Sequence, residues 1–219
     1  MVEKRESYLE EASNYIVTGI EFQSKDPTRR SIYLNKKYAF GISAETDAVF
    51  HIEKGATLSE KQIAIINSHE QYETAKKIAI KYLGMRMRSQ KELMDYLRKK
   101  GFDKAIVHRV IQHCEQYNYL NDEDFANAFV RDQMNLSKNG VLKIRSLLRS
   151  RGITNELIDK SVMNNITREQ QLKLALRLAG KKVKSIVDDS KKKREKLYRF
   201  LAQKGFTTDV IFEVLKTLE

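Results

Sequence analysis

The 219-residue sequence predicts a mainly α-helical protein: three tandem three-helix repeats in an elongated array, preceded by a small N-terminal β-hairpin and helix segment. Three observations predict this. The apolar residues change from an alternating to a helical period at about residue 75. One helix-end pattern recurs at Gly101, Gly152 and Gly205, which are spaced by 51 and 53 residues. The only proline is Pro27, so no proline interrupts a helix after it.

The N-terminal segment is rich in β-branched and aromatic residues. Residues 15–23 alternate in polarity, and similar short runs follow at 31–34 and 38–42. These runs predict a small antiparallel meander of two or three strands. The polar residues 25–29, with Pro27 among them, are predicted to form the turn after the first strand.

Helix starts are marked by capping-box patterns, in which Ser or Thr precedes Glu or Gln by three residues. Such patterns occur at residues 59–62, 89–92 and 167–170, and a short helix is also expected within 43–52. Beyond residue 75, the apolar residues recur on one helical face, and eight or nine helices of about 10–16 residues fit the pattern.

The repeated glycine motif predicts the boundaries of the modules. Each copy has Leu four residues before Gly, a basic residue just before it, and a large apolar residue after it. This pattern is typical of a helix that ends in a left-handed glycine, with a polar residue capping the next helix. The predicted division is an N-terminal extension over 1–58 and helical modules over 59–117, 118–166 and 167–219.

The charge is unevenly distributed along the chain. Residues 1–74 have a net charge of −3, whereas residues 75–219 have a net charge of +15. Such an asymmetry indicates an anionic partner, most often nucleic acid. The cations concentrate on the first two helices of each module, while the helix after each glycine is poor in outward Arg, Asn and Gln. A basic stripe along the array is therefore favoured as the binding surface over a helix that reads bases. Any single cation can still be part of an ordinary solvated helix face with no binding role.

No pattern in the sequence predicts a catalytic, metal-binding or cofactor-binding site. There is no phosphate-binding glycine loop, nucleophile elbow or zinc spacing, so we expect no catalytic residue, metal or cofactor. Asp122, Glu123 and Asp124 fall at a helix N-terminus, where carboxylates are favoured by the helix dipole. The single cysteine excludes an internal disulfide, and no run of 18 apolar residues or signal-peptide pattern is found. A cytoplasmic protein without a membrane anchor is expected.

Several motifs together resemble the RecX family. They are YNYLNDEDFANAFVRDQM at 117–134, the runs at 139–144 and 147–153, and the runs at 88–93 and 97–102. The N-terminal segment is similar to that of Gram-positive members, so the resemblance spans about residues 15–219. One departure is Asn121, where the family usually has Asp; Asn caps a helix about as well. The Lys-rich residues 191–194 are also less typical, and a disordered or lengthened connection is expected there.

The resemblance implies a regulator of the RecA recombinase. Family members bind the groove of the filament of RecA on single-stranded DNA, and so restrain ATP hydrolysis, strand exchange and filament-dependent cleavage of repressors. It implies a monomer that contacts RecA, and single- or double-stranded DNA, through a basic surface. The partner-binding residues expected are Arg86, Arg88, Arg98, Lys99, Arg131, Lys138, Lys143, Arg145 and Arg149. The structural residues expected are Tyr119, Asp122, Phe125 and Ala126, holding the first module against the second, and the three glycines.

Two alternatives stay open from the residues alone. The repeated helix–turn–helix pattern also fits an autonomous DNA-binding protein or transcription regulator. A purely structural helical adaptor is the third possibility. Binding to a recombinase filament, to DNA alone, or to neither would separate the three.

Overall fold

The computed structural model describes residues 14–186 and 190–218, and this part of the chain is mostly helical. Residues 1–13 of the predicted N-terminal extension, together with 187–189 and 219, lie outside the described residues. The strands are β1 (Asn14–Gln23), β2 (Asp26–Leu34), β3 (Lys37–Ser43) and β4 (Thr57–Ser59). They form one antiparallel sheet in the order β3-β2-β1-β4, so the predicted meander is confirmed and extended by a fourth, very short strand.

The predicted turn at residues 25–29 is wrong. The chain reverses at Ser24 and Lys25, and Pro27 already lies within β2. The pairing register of β1 and β2 explains why a proline is accepted there. The neighbours Phe22 and Gln23 of β1 pair with Arg30 and Asp26, which are four residues apart on β2. Pro27 lies in the irregular stretch between these pairs, where a missing N–H costs no hydrogen bond of the ladder.

Ten helices are found in the described residues. They are α1 (Ala44–Phe50), α2 (Glu60–Leu83), α3 (Gln90–Lys99), α4 (Lys104–Gln116), α5 (Asp122–Asn135), α6 (Val141–Ser150), α7 (Asn155–Asn165), α8 (Arg168–Val183), α9 (Ser190–Lys204) and α10 (Thr208–Thr217). Nine of them, from α2 onward, reach beyond residue 75, as predicted. The 24-residue α2 is longer than expected because the helix that begins after Ser59 continues without a break into the predicted 75–85 stretch and ends at Leu83.

All three predicted capping boxes are present. Before α2, the Ser59 amide donates to Gln62 Oε1 (2.8 Å), and the Gln62 amide donates to Ser59 Oγ (3.3 Å). Ser89 and Glu92 make the same reciprocal pair before α3, and Thr167 and Gln170 make it before α8. Each pair satisfies backbone donors that a helix start otherwise leaves unpaired.

The glycine turns have the predicted left-handed conformation, with φ of +92° at Gly101, +82° at Gly152 and +84° at Gly205. In the first turn, the Phe102 amide donates to the Leu97 carbonyl (3.3 Å) and the Gly101 amide to the Arg98 carbonyl (2.9 Å). The other two turns repeat both bonds, which define a Schellman motif. The spacing from Leu to Gly to a large apolar residue is therefore the sequence signature of this motif.

The expectation of a disordered or lengthened connection at residues 191–194 is wrong, because these residues lie in the first turns of α9. Lys and Arg are good helix formers, and the Lys-rich segment leads directly into the apolar residues Leu197 and Leu201, which are buried. Burial of that apolar face gives the segment a reason to be helical.

The chain divides into two compact units, one formed by residues up to Lys81 with Leu97–Gln112, and the other by the remaining residues. In the first, the sheet buries Val17, Ile32 and Ile42 with Ile66 of α2. The second has two cores. The core of α5, α6 and α7 contains Phe125, Ala126, Val130, Ile144, Leu148, Ile153, Ile158 and Val162. The core of α8, α9 and α10 contains Leu174, Ala175, Ala179, Leu197, Leu201, Phe206, Val210, Ile211, Val214 and Leu215.

Candidate functional site

The helix that carries three of the nine candidate cations, α6, is fixed at its start by the third glycine turn. The Gly140 amide donates to the Lys204 carbonyl (2.7 Å), and the Leu142 amide donates to the Gly205 carbonyl (2.9 Å). The turn carbonyls thus satisfy donors that the first turn of α6 cannot pair internally. A Cβ on Gly140 would lie 2.4 Å from the Gly205 carbonyl group, so the contact requires glycine.

The second glycine turn makes an equivalent contact with the start of α3. Ser89 Oγ donates to the Arg151 carbonyl (2.7 Å), and Lys91 Nζ donates to the Ser150 carbonyl (3.0 Å). A Cβ on Gly152 would lie 2.7 Å from Lys91 Cβ. Each of these turns therefore docks on the N-terminal end of the middle helix of the preceding module.

Three of the predicted partner-binding residues lie on α6. Lys143 is exposed beside the Gly205 turn. Arg145 is ion-paired with Asp159 of α7, and Arg149 Nε donates to Asn155 Oδ1 (2.9 Å) at the start of α7. The two guanidinium groups are thus oriented by polar side chains of the next helix, which lowers the entropy lost when they bind a further group.

Two further cations of this module lie on and after α5. Arg131 is exposed, and its Nη1 donates to Asn165 Oδ1 (3.2 Å), while Asn165 also donates to Asn127 (2.7 Å). Lys138 lies in the loop after α5 with φ of +57°, and its ammonium donates to the Asn135 carbonyl at the end of that helix. A cation there is favoured by the helix dipole.

Arg86 and Arg88 are held by quite different contacts. Arg86 forms a bidentate pair with Glu92, at 3.2 and 3.3 Å. Burial acts to raise the pKa of Glu92, but the hydrogen bonds from Arg86 and the Ser89 amide outweigh it and lower that pKa. The Arg88 guanidinium instead lies 4.1 Å over the Tyr82 ring, which itself stacks on Tyr96. Its Nε is buried without a hydrogen bond among the described residues. Arg88 is therefore partly a packing residue.

The last two predicted cations, Arg98 and Lys99, are exposed in the last turn of α3. They belong to the compact unit that contains the sheet, unlike the other seven. The Arg98 carbonyl accepts the Gly101 amide in the Schellman turn, so the backbone beneath both side chains is fixed.

Four family models match the chain in succession: the RecX N-terminal domain over residues 15–59 and the first, second and third RecX three-helix domains over 75–114, 121–162 and 169–215. Together they account for most of the 219 residues. The chain belongs to the RecX family. Each three-helix match contains one of the left-handed glycine turns.

Individual relatives agree with this assignment. The chain is 32% identical over 203 residues to the regulatory protein RecX of Clostridium botulinum strain Eklund 17B, a match that covers 91% of this chain and 94% of the relative. It is 33% identical to the Bacillus velezensis protein of the same name, covering 93% of this chain and 77% of that one. A crystal structure of regulatory protein RecX superposes with a TM-score of 0.74 at 29% identity, covering 93% of this chain and 99% of that chain. The structure of RecX from Lactobacillus salivarius gives 0.62 at 25% identity, covering 68% and 97%.

The junction that carried the RecX resemblance contains a hydrogen bond between α3 and α5. Asp122 Oδ1 accepts the Gln90 amide (2.7 Å), so an α5 side chain caps α3. Burial raises the pKa of Asp122, and the charges of Glu115 and Glu92 raise it further, although the Gln90 hydrogen bond lowers it. Sequence patterns had suggested Ser89 as the cap of α3, but gave no signal for this second acceptor, which comes from a distant part of the chain.

The other junction residues of the RecX motif have separate positions. Phe125 and Ala126 are buried in the core of α5, α6 and α7. Tyr119 is 54% exposed and stacks on Tyr117, with ring centroids 6.3 Å apart. The cap of α5 is Asn121, whose Oδ1 accepts the amides of Glu123 and Asp124 (3.0 and 3.1 Å). The departure from the usual Asp therefore leaves the cap in place.

A metal-binding cluster and an activated cysteine are both absent from the described residues. The residues described contain no group of three or more His, Cys, Asp and Glu able to hold a metal. Cys114 is buried, and burial together with the charge of Glu115 raises the pKa of its thiol to about 11. A thiol that stays protonated at neutral pH is a poor nucleophile. No helix of the described chain is long and apolar enough to cross a membrane.

Proposed function

We propose that this chain is a non-enzymatic regulator of the RecA recombinase. It binds the filament that RecA forms on single-stranded DNA and inhibits or modulates ATP hydrolysis, strand exchange and repressor cleavage. The observation that carries the proposal is RecX membership over most of the chain, from the strands to the third helical module. The cations fixed on α6 supply a surface that suits an anionic filament.

The contact surface that we propose consists of two sets of cations. The middle module contributes Arg131, Lys138, Lys143, Arg145 and Arg149, and the first module contributes Arg86, Arg88, Arg98 and Lys99. Their role is charge-assisted contact with acidic side chains of RecA or with phosphates of single- or double-stranded DNA. We retain residues 1–58, 59–117, 118–166 and 167–219 as the functional segments, and a monomer as the active form.

The test is the single-stranded-DNA-dependent ATPase activity of RecA with and without the full chain. We expect the rate to change in proportion to the chain added, and to return when excess RecA filament is supplied. An unchanged rate at concentrations well above that of RecA would contradict the proposal.

The alternative, an autonomous transcription regulator, depends on the helix after each glycine. On α10, Asp209 and Glu213 both pair with Arg168 of α8, at 3.4 and 2.5 Å. Two carboxylates on that helix oppose entry into a DNA groove. A sequence-specific footprint obtained without any recombinase would favour the alternative.

A further inference from the structure

A cavity beside the C-terminal end of α5 and the α8 helix is lined by three cations. Its volume is about 390 Å³, and its cations are Lys138, Lys173 and Arg177. No carboxylate is found among the described residues that line it. Lys173 and Arg177 were not among the predicted partner-binding residues, because in the sequence they resemble other cations of a solvated helix face.

The three cations come from two different elements. Lys173 and Arg177 are one helical turn apart on α8, so their side chains project from the same face. Lys138 comes from the left-handed loop residue after α5, and one of its three ammonium protons is used on the Asn135 carbonyl. The two remaining protons can serve a ligand. The bond to Asn135 also offsets the negative end of the α5 dipole, which would otherwise oppose an anion.

The rest of the cavity suits a ligand that has an uncharged part beside its charged group. Met134 and Leu174 provide apolar surface, and Gln170 provides an amide. Gln170 Oε1 already accepts the Thr167 amide (2.9 Å), which fixes the side chain and leaves its NH₂ group able to donate. The cavity volume is within the range that holds a group of small-molecule size, and exceeds the needs of one carboxylate.

We propose that this cavity binds one nucleotide unit of a single-stranded nucleic acid, with its phosphate held by Lys138, Lys173 and Arg177. The sugar or base then covers the apolar surface of Met134 and Leu174. The four oxygens of a phosphodiester are arranged tetrahedrally, so cations from two elements can approach its two charged oxygens from different sides, whereas all atoms of a carboxylate group lie in one plane. The inference rests on the proposed function, because it adds a contact to the single-stranded DNA of the filament.

The experiment measures binding of a fluorescent 30-nucleotide oligo(dT) to the full chain by anisotropy, without RecA, over a range of salt concentrations. The cavity variant is Lys173→Gln with Arg177→Gln. The control variant is Lys181→Gln with Lys184→Gln, which removes the same charge from exposed positions toward the end of α8 that do not line the cavity. Thermal unfolding of each variant checks that the helix is intact.

We expect the cavity variant to bind more weakly at every salt concentration. The slope of log K against log salt should become shallower by about 0.7, since the cavity holds one phosphate and each phosphate neutralised on a single strand contributes about 0.7. The control should change the slope by much less. Equal losses in the two variants, or no binding of oligo(dT) by the wild type at low salt, would overturn the inference. The same binding measurement is repeated with poly-glutamate, inorganic phosphate and adenosine monophosphate as probes. If the cavity variant lost affinity for one of these probes but not for oligo(dT), the inference would also be overturned.

The same variants separate this inference from the proposed function. If wild type does not alter RecA ATPase activity but binds oligo(dT) through the cavity, the proposed function fails and the inference stands. If wild type inhibits RecA and the cavity and control variants bind oligo(dT) equally, the inference fails and the proposed function stands.

Discussion

At the scale of single residues, the three turn glycines differ in what surrounds them. A Cβ on Gly101 would meet nothing within 4 Å, one on Gly152 would meet the Lys91 side chain, and one on Gly205 would meet the Lys143 backbone nitrogen at 2.4 Å. All three have positive φ, so alanine costs about 1–2 kcal/mol at each from conformation alone.

We therefore expect a ranked loss of stability. Gly101→Ala should cost only the conformational energy, while Gly205→Ala should cost about 1–3 kcal/mol more, because backbone atoms of α6 must move. The stability loss of Gly152→Ala should lie between these two values, because the Lys91 side chain can move more easily than a helix backbone. Urea unfolding of the three variants measures the order, and equal losses would show that the close packing at Gly205 has no energetic effect.

Glu70 gives a pH-dependent prediction. Burial acts to raise its pKa, but hydrogen bonds from Ser43 and Thr46 and the charge of Arg29 outweigh it, so the pKa is lowered. A carboxylate with a lowered folded pKa stabilises the protein above its unfolded pKa of about 4.3, and this stabilisation is lost as pH falls through the folded value.

Glu70→Gln should accordingly be less stable than wild type at neutral pH, and the difference should shrink as the pH falls below about 4. The measurement is urea unfolding of both proteins between neutral and acidic pH. A difference that stays constant over that range would mean that the charge of Glu70 contributes nothing, and that the substitution acts only through the hydrogen bonds that Glu70 accepts.

The residues also show where sequence patterns succeed and where they fail. The left-handed glycines were predictable because only glycine adopts that conformation cheaply. The turn at Pro27 was mispredicted because proline is common in turns but equally acceptable at an irregularity in a strand. Only the pairing register of β1 and β2 distinguishes the two.

At the scale of helices and strands, capping residues differ in how many partners they have. Among the described residues, Thr167 makes only the capping box of α8, whereas Ser89 makes the capping box of α3 and also donates to the Arg151 carbonyl of the next module. Thr167→Ala should cost about 1 kcal/mol, the usual value of a cap. Ser89→Ala should cost about 2 kcal/mol, because the Arg151 carbonyl also loses its donor. Thermal unfolding tests this, and equal costs would show that the contact between modules has no net value.

Local patterns predicted nearly all helices but few of their contacts. Capping boxes and apolar periodicity depend on neighbours within a few residues, so they can be found in the sequence. Strand β4 has only three residues, and it exists because Asn14–Ile16 pairs with it from 40 or more residues away. The contact between Gly140 and the Gly205 turn is equally long-range, and no spacing in the sequence predicts it.

At the scale of the molecule, the charge of the sequence predicts the kind of residue in the candidate site but not its arrangement. The excess of positive charge after residue 75 indicates cations as the contact residues, and this stays a prediction. The structure adds that Arg145 and Arg149 are oriented by α7, whereas Lys143 is exposed with no ion pair among the described residues. The proposed partner, RecA, comes from the RecX resemblance, because charge alone cannot identify a partner: many basic proteins bind different anions.

The last prediction concerns the middle module as a binding surface. Lys143→Glu with Arg149→Glu reverses two exposed charges on α6 and leaves the Arg145–Asp159 pair intact. We expect the concentration needed for half-maximal inhibition of RecA ATPase activity to rise about tenfold or more, because like-charge contacts costing about 1.4 kcal/mol in total give that factor. Raising the salt concentration should narrow the gap between this variant and wild type.

The control is Lys181→Glu with Lys184→Glu, which changes the net charge by the same amount on exposed positions outside the proposed surface. It separates a local contact on α6 from a general effect of net charge on association with an anionic filament. If both variants lose inhibition equally, long-range attraction rather than the α6 surface guides binding. If the α6 variant inhibits as well as wild type, the proposed contact residues are wrong, even though the chain can still regulate RecA through another face.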